Sequence, residues 1–232
     1  MTRLPSFTPG VHAVIIGAGG GIGAALAAWL EADPNVVGVT RLSRRTGLDL
    51  AHPASITAAA AALNSPPDLV ICATGVLHDD GLNPERDLRQ LSAGAFARAF
   101  AINATGPALV AQAFLPLMPK GRKTVFAALS ARVGSISDNR LGGWHAYRAS
   151  KAALNQILRT IAIEQTRKNP QSIILGLHPG TVDTDLSKPF QRNVKTLLAP
   201  AESATHLLAV IDAAIPEQSG RLFDWQGIEI MP

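Results

Sequence analysis

The sequence predicts a single α/β domain, residues 1–232, in which a doubly wound parallel sheet of about seven strands is covered by helices on both faces. Short apolar, β-branched runs alternate along the chain with alanine-rich segments of helical spacing. These runs are continuous rather than alternating, as expected of strands that are buried on both faces. No linker and no internal repeat divides the chain, so we expect one domain.

Composition narrows the class of protein. Apolar residues make up 47% of the chain and charged residues 16%, which excludes a disordered chain and suffices for a buried core. The net charge is only +4, the basic residues are scattered, and aromatic residues are 5%, so we expect no nucleic-acid partner. The single cysteine, Cys72, excludes an internal disulfide and is typical of a reducing compartment, and the histidine spacing predicts no metal site.

The first elements are a loosely held lead-in at 1–9 and a strand at 11–16. No formally charged side chain occurs between residues 10 and 30, which raises the alternative of a membrane span or a signal peptide. Six glycines in that window argue against one long helix, because each costs about 1 kcal/mol relative to alanine. We therefore expect a soluble, cytoplasmic protein with no membrane segment.

A glycine-rich turn joins this strand to a helix at 24–32. Glycine lets the backbone turn sharply and approach a phosphate, and the helix N-terminus supplies free N–H groups. The spacing is G-x-x-x-G-x-G rather than G-x-G-x-x-G. The turn predicts a nucleotide site formed by Gly17, Gly19, Gly21, Ile22 and Gly23.

The second strand, 36–40, ends in a segment with arginines and no carboxylate. A carboxylate there would bind the ribose hydroxyls of NAD, whereas guanidinium groups suit the 2′-phosphate of NADP. We therefore predict NADP rather than NAD, with Ser43 and Arg44 as the contacts. A solvated basic loop is the alternative.

The following elements include a short third strand ending at 47–50, a helix at 51–63 and a strand at 68–72. A helical run at 87–118 follows, in which Asn103 precedes Pro107, a residue that disturbs helical hydrogen bonding. A strand at 124–129 and a helix reaching about residue 168 come next. On that helix Tyr147, the sole tyrosine, lies one turn before Lys151, so we predict that the ammonium lowers the phenol pKa below about 10.

The last third of the chain continues the alternation. A strand at 172–177 ends in a P-G-x-V-x-T string, and 186–198 is the expected substrate lid. A helix at 201–214 and a strand at 221–225 complete the fold. Candidate pocket residues form a mixed set that selects no substrate class: Leu77, Trp144, His145, Leu186 and Phe190.

In this order the motifs resemble those of the short-chain dehydrogenase/reductase family, over residues 11 to about 225. Within the family, 148–151 and the approach to Tyr147 look most like the C-factor and sniffer-type carbonyl reductases. The resemblance implies a Rossmann fold and a cofactor bound by the glycine turn and a further set of residues. That set is Ser43, Arg44, Asp49, Leu50, Ala73, Thr74, Gly75, Asn103, Tyr147, Lys151, Pro179, Gly180, Thr181, Val182 and Thr184.

The resemblance also implies a catalytic set of Tyr147, Lys151, Asn103 and a serine. The family's serine is the second of two small residues that end the strand at 124–129. Registering on Gly134 puts Ser130 first and Ala131 second. Either a shifted loop presents Ser130, or Ser135 substitutes for it, or the enzyme is impaired; we favour Ser130.

The implied reaction is NADP(H)-dependent hydride transfer between nicotinamide and a small carbonyl or alcohol substrate. Tyr147 exchanges the proton, and Lys151 lowers the pKa of its phenol. Ser130 binds the carbonyl oxygen, and Asn103 anchors a proton relay through water. A catalytically weak NADP-binding sensor or signalling protein of the same fold is the alternative. A hydrolase is set aside because no G-x-S-x-G occurs. The family also implies a homodimer or homotetramer.

Overall fold

A computed structural model describes residues 4–79, 81–192 and 194–232. Its main sheet has seven strands: β1 Val11–Ile16, β2 Val36–Leu42, β3 Leu69–Cys72, β4 Thr124–Leu129, β5 Ser172–His178, β8 Arg221–Asp224 and β9 Glu229–Ile230. Their order in the sheet is β2-β1-β3-β4-β5-β8-β9, and all pairs are parallel except β8 with β9. A separate parallel pair is formed by β6 Thr181–Val182 and β7 Leu197–Leu198.

Helices cover both faces of this sheet, as the predicted doubly wound α/β class requires. They are α1 Gly21–Glu31, α2 Pro53–Ala61, α3 Ala93–Phe100, α4 Gly106–Phe114, α5 His145–Lys168 and α6 Pro200–Ala213. Helices α1 and α6 pack against one another on one face, and α2, α4 and α5 enclose the core on the other. Continuous burial of β3 and β4 explains their unbroken apolar sequences.

The predicted third strand at 47–50 is wrong. Gly47 has a φ of +92° in a turn, while Leu48 and Leu50 are buried as loop residues. Only four residues separate the end of β2 from Gly47, whereas a parallel strand needs a crossover of a dozen or more residues. Strand β2 is therefore the edge of the sheet, and the seventh strand is the antiparallel β9 at the opposite edge, which the sequence analysis did not predict.

The predicted helical run at 87–118 is divided into pieces. Helix α3 leads into a π-helical turn, Ala101–Thr105, which leads into α4. The stretch Ala93–Leu117 is long and apolar enough to cross a membrane by length and composition alone. In this fold its helices contact α2, α5 and β3.

The lead-in expected to be loosely held is anchored within the described residues. Leu4 and Phe7 are buried in the core, and both the amide and the hydroxyl of Ser6 donate to Asp212 Oδ1. Residues 1–3 lie outside the described part of the chain.

Candidate functional site

Three glycines of the turn leave no room for a side chain. Gly17 has a φ of +91°, and a Cβ atom there would lie 2.7 Å from the carbonyl oxygen of Ala73. A Cβ at Gly23 would lie 2.2 Å from the carbonyl oxygen of Gly17, and one at Gly21 would lie 2.8 Å from Thr184 Cγ2. These contacts bring β1, β3 and the segment after β5 within touching distance of the N-terminus of α1.

The N-terminus of α1 is open to an anion. Gly20 caps the helix without a side chain, and the first turn contains no acidic residue. Amide groups in such a first turn lack intrahelical acceptors and carry the positive end of the helix dipole. The turn therefore fits the diphosphate of a dinucleotide.

Two arginines follow β2, and one of them lies beside this turn. A 3₁₀ turn, Arg44–Thr46, follows β2, and the amides of Gly17 and Ala18 donate to Leu42 O at the end of that strand. The guanidinium of Arg45 approaches the glycine turn, since its Nη2 lies 3.3 Å from the place of a Cβ on Gly19. Within the described residues neither Arg44 nor Arg45 forms a salt bridge, whereas Arg41 is paired with Glu31 through two hydrogen bonds.

The segment at the end of β3 is clamped by Asn103, which is completely buried within the π-helical turn. Its Oδ1 accepts from the amide of Val76 at 2.8 Å, and its Nδ2 donates to the carbonyl of Val76 at 2.8 Å. Nδ2 also donates to Ser150 Oγ at 3.1 Å. The asparagine side chain thereby ties 73–76 to α5, and its role in a water relay stays a prediction.

Asp49 and Leu50 follow β2 in a loop. Asp49 Oδ1 accepts from the amide of Ala51, and its side chain is 39% exposed. Leu50 packs against Gly106, where a Cβ would lie 2.8 Å from that of Leu50. Asp49 is thus accessible to a ligand, while Leu50 belongs to the packing of α4.

The predicted pair of Tyr147 and Lys151 lies on the first turns of α5. Lys151 is 2% exposed, its Nζ lies 5.8 Å from the centre of the Tyr147 ring, and it donates to Leu129 O at 2.8 Å. Burial raises the pKa of Tyr147 to about 12 and lowers the pKa of Lys151 to about 8. For the chain as described, the prediction of a phenol pKa below about 10 is wrong, because desolvation outweighs the neighbouring ammonium.

The serine corner, defined as residues 130–135, follows β4. Ser130 lines the cavity in front of Tyr147, and its hydroxyl donates to Asn155 Oδ1 at 2.6 Å. Ala131, which also lines the cavity, has no hydroxyl. Ser135 is 2% exposed and donates to Met231 O, so this alternative serine ties the corner to the C-terminal segment.

The segment after β5 reaches over the glycine turn. Pro179 O accepts from Ser203 Oγ of α6, and Gly180 adopts a φ of +79° beneath Leu198 and Trp225. Thr181 and Val182 form β6, and the Thr184 methyl group closes on Gly21. The predicted cofactor residues at 179–184 are therefore gathered at the same edge as the glycine turn.

A cavity of about 580 Å³ is lined by Ile22 of the glycine turn and by residues 130–133 of the serine corner. Four of the five candidate pocket residues line it, and His145 does not: the four are Leu77, Trp144, Leu186 and Phe190. Trp144 packs edge-on against both Tyr147 and Phe190, with ring centres 6.2 and 5.0 Å apart. Trp144 is the one non-glycine residue with positive φ in the described residues, at 53°, which marks a strained position beside the site.

The predicted lid, 186–198, forms one wall of this cavity. His78 Nε2 lies within hydrogen-bonding distance of the carbonyl oxygens of Asp185 and Leu186, and its ring contacts Phe190. The far end of the segment is held by β7. Asn193 lies outside the described residues, and lid motion stays a prediction.

Besides Asn155, two residues that the sequence analysis did not identify shape the site. One is Arg45, which was signalled only by its place beside Arg44. The other is Glu85, which is 3% exposed and caps α5 from a distance of 61 residues in the chain, accepting from Ala146 N through Oε2 at 3.2 Å. Its backbone oxygen accepts from Trp144 N at 2.6 Å. Glu85 thus fixes the helix start directly before Tyr147, and no sequence pattern could have indicated it.

Comparison with protein families and curated proteins agrees with this geometry. A family model described as short chain dehydrogenase matches residues 11–195. The C-signal of Myxococcus xanthus is 42% identical over 134 residues, which cover 58% of this chain and 76% of that protein. The 1-hydroxy-2-glutathionyl-2-methyl-3-butene dehydrogenase of Rhodococcus sp. (strain AD45) is 34% identical over 175 residues, 75% of this chain and 74% of that protein.

Solved structures share the fold over nearly the whole chain. NADPH-bound carbonyl reductase from chicken fatty liver superposes with a TM-score of 0.80 at 24% identity, covering 97% of this chain and 100% of that one. A short-chain dehydrogenase/reductase from Burkholderia multivorans with bound NADP superposes with a TM-score of 0.78 at 25% identity, with the same coverage. The predicted Rossmann fold is thereby confirmed.

Proposed function

Because this chain belongs to the short-chain dehydrogenase/reductase family and is therefore an NAD(P)-dependent oxidoreductase, we propose that it transfers hydride between NADP(H) and a small carbonyl or alcohol substrate. The observation that carries the proposal is the position of Tyr147. The sole tyrosine lines the cavity beside the glycine turn, with the buried Lys151 ammonium beneath its ring.

The chain's own residues supply the proton. When bound, NADPH supplies the hydride that adds to the carbonyl carbon. Tyr147, whose pKa is about 12, is protonated at neutral pH and donates its proton to the developing alkoxide. Lys151, whose pKa is about 8, is mostly charged at pH 7 and stabilises the tyrosinate that remains. Oxidation of an alcohol runs through the same groups in reverse.

The preference for NADP over NAD is supported by Arg44 and Arg45. Both are exposed and have no acidic partner in the described ranges, and Arg45 lies beside the glycine turn. A 2′-phosphate would give these guanidinium groups a negatively charged partner. The short-chain dehydrogenase/reductase from Burkholderia multivorans was solved with NADP bound. Asp49 stays available for the adenine edge.

We assign the carbonyl-binding hydroxyl to Ser130, with Asn155 as its positioning residue. One hydroxyl proton cannot serve both Asn155 and a substrate. The amide of Asn155 has no other partner in the described residues, so rotating it by half a turn reverses this hydrogen bond. Asn155 then donates to Ser130, and the Ser130 proton is free to bind the carbonyl oxygen.

A weakly catalytic NADP-binding signalling protein is the second candidate. Two features of the serine corner favour it: Ala131 stands where the family carries a serine, and the Ser130 hydroxyl is hydrogen-bonded to Asn155. The 42% sequence identity to a protein named C-signal also favours it. Homodimer or homotetramer assembly and cytoplasmic location stay predictions.

The deciding experiment follows the loss of reduced-nicotinamide absorbance over a panel of aldehydes, ketones and quinones. Tyr147→Phe should still bind NADPH by calorimetry and should lower kcat by about 100-fold or more. Unchanged turnover in this variant would refute the role of Tyr147. Tight NADPH binding without turnover on any substrate would favour the signalling candidate.

A further inference from the structure

Arg148 brings an unneutralised charge to the substrate cavity. It is the residue after Tyr147 on α5, it is half-buried, and it lines the cavity. Its Nε donates to Gly143 O at 3.0 Å and its Nη1 to Val133 O at 3.4 Å. Within the described residues it has no carboxylate partner, and Nη2 has no acceptor.

The other charged residues of the lining do not cancel this charge. Arg132 is held between Asp138 and Asp224, at 3.4 and 3.1 Å. In the part of the chain that the structure describes, the exposed Arg140 donates to backbone carbonyls and to no carboxylate. Among the described residues, the lining thus contains three arginines and one aspartate, and the wall around them is mostly apolar.

A half-buried guanidinium without a counter-ion loses hydration that neutral carbonyl oxygens restore only in part. Burial accordingly lowers the pKa of Arg148. A carboxylate placed against Nη2 would neutralise the charge of Arg148 and accept a charge-assisted hydrogen bond, which is stronger than a neutral one. One carboxylate also matches the single unused donor group better than a phosphate dianion, which needs more donors.

We propose that the substrate is a carbonyl compound with a carboxylate on an apolar scaffold, and that Arg148 binds that carboxylate while Tyr147 addresses the carbonyl. The proposal rests on the proposed reductase function and adds a substrate class to it. The two hydrogen bonds to Gly143 and Val133 allow a purely structural role for Arg148, which the experiment must separate from anion binding.

The test compares 4-carboxybenzaldehyde with 4-formylbenzamide, a neutral compound of similar shape, in NADPH turnover. The wild-type protein should favour the carboxylate by about 10-fold or more in kcat/KM, the ratio expected for one charge-assisted hydrogen bond. Arg148→Gln keeps a hydrogen-bond donor without the charge and should remove this ratio. Arg148→Lys should retain part of it, and Arg167→Met, an exposed position near the end of the same helix, should leave it unchanged.

The outcomes separate the two proposals. No turnover of either aldehyde would count against the reductase function, and equal turnover of both would overturn only the substrate class. A structural role alone would make Arg148→Gln lower both rates together and leave the ratio intact. Calorimetry on the NADPH complex adds a readout without chemistry: 4-methylbenzoate should bind about 10-fold more tightly than 4-methylbenzamide, and equal affinity overturns the inference.

Discussion

The glycine turn and the serine corner both contribute to the lining of one cavity, and they are built on different principles. The turn is defined by atoms that must be absent, since a Cβ at Gly17 or Gly23 would collide with backbone. The corner is defined by side chains that hold one another, as Ser130 does with Asn155. A backbone site tolerates almost no substitution, whereas a hydrogen-bonded site can exchange members and retain its shape.

The strongest way to break the turn is Gly23→Ala. A Cβ 2.2 Å from the Gly17 carbonyl oxygen forces the backbone apart, so we expect a loss of about 3 kcal/mol or more in the free energy of unfolding and loss of NADPH binding. Thermal unfolding and calorimetry measure both. Gly20→Ala is the matched control for stability, because its Cβ would meet nothing nearer than 3.6 Å. A similar loss of stability in both variants would mean that the collision is not the cause.

Lys151→Met should separate stability from activity on the catalytic side. The pKa of Lys151 is about 8 when folded and 10.5 when unfolded, so burying its charge costs about 3 kcal/mol below pH 8. Allowing about 1 kcal/mol for the lost hydrogen bond to Leu129 O, the variant should be more stable by about 2 kcal/mol at pH 7. Since the unfolded wild type binds the extra proton, wild-type stability rises between pH 8 and 10.5 and the advantage disappears.

Denaturant unfolding across pH measures this effect, and an advantage that did not vary with pH would contradict it. Activity should move the other way. The wild-type rate of carbonyl reduction should fall as pH rises through about 8, because neutral Lys151 no longer stabilises the tyrosinate. Lys151→Met should be slow at every pH.

Glu85 allows a smaller test of how the catalytic helix is placed. Glu85→Ala removes the cap of Ala146 N and should lower the free energy of unfolding by about 1–2 kcal/mol, with a fall in kcat because Tyr147 is the next residue. Glu85→Gln keeps an acceptor and should recover most of both losses. If Gln behaved as Ala does, the carboxylate charge and not the cap would be responsible.

The smallest expected effect concerns which hydroxyl of the serine corner acts in the reaction. Ala131→Ser restores a hydroxyl where the family pattern has one, and should raise kcat by up to about 10-fold if the engagement of Ser130 limits the reaction. The double variant Ser130→Ala/Ala131→Ser shows whether position 131 can replace position 130. A rise in the single variant that disappears in the double one would mean that both hydroxyls act together.

The sequence was sufficient where one local pattern determines the outcome. The glycine spacing, the apolar strands and the helical spacing from Tyr147 to Lys151 each depend on neighbouring residues, and the fold confirms them. The sequence was insufficient where a feature depends on contacts between residues that are far apart in the chain, or on burial. The predicted strand at 47–50 is wrong because the connection from β2 is too short for a parallel strand. The predicted phenol pKa is wrong because the sequence spacing shows that two residues are close but not how deeply they are buried. Glu85 reaches its helix through tertiary structure alone.

The missing strand beyond β2 has one more consequence. Strand β2 has a single neighbour in the described sheet, so the segment with Ser43, Arg44 and Arg45 lies at the sheet edge. The buried side chains of Leu48 and Leu50 anchor the following residues in the core. If the side chains of Ser43, Arg44 and Arg45 hold the 2′-phosphate as proposed, coenzyme preference is encoded in a short peripheral segment. A transplant of 43–47 from an enzyme that uses the unphosphorylated coenzyme would exchange the preference without repacking the interior.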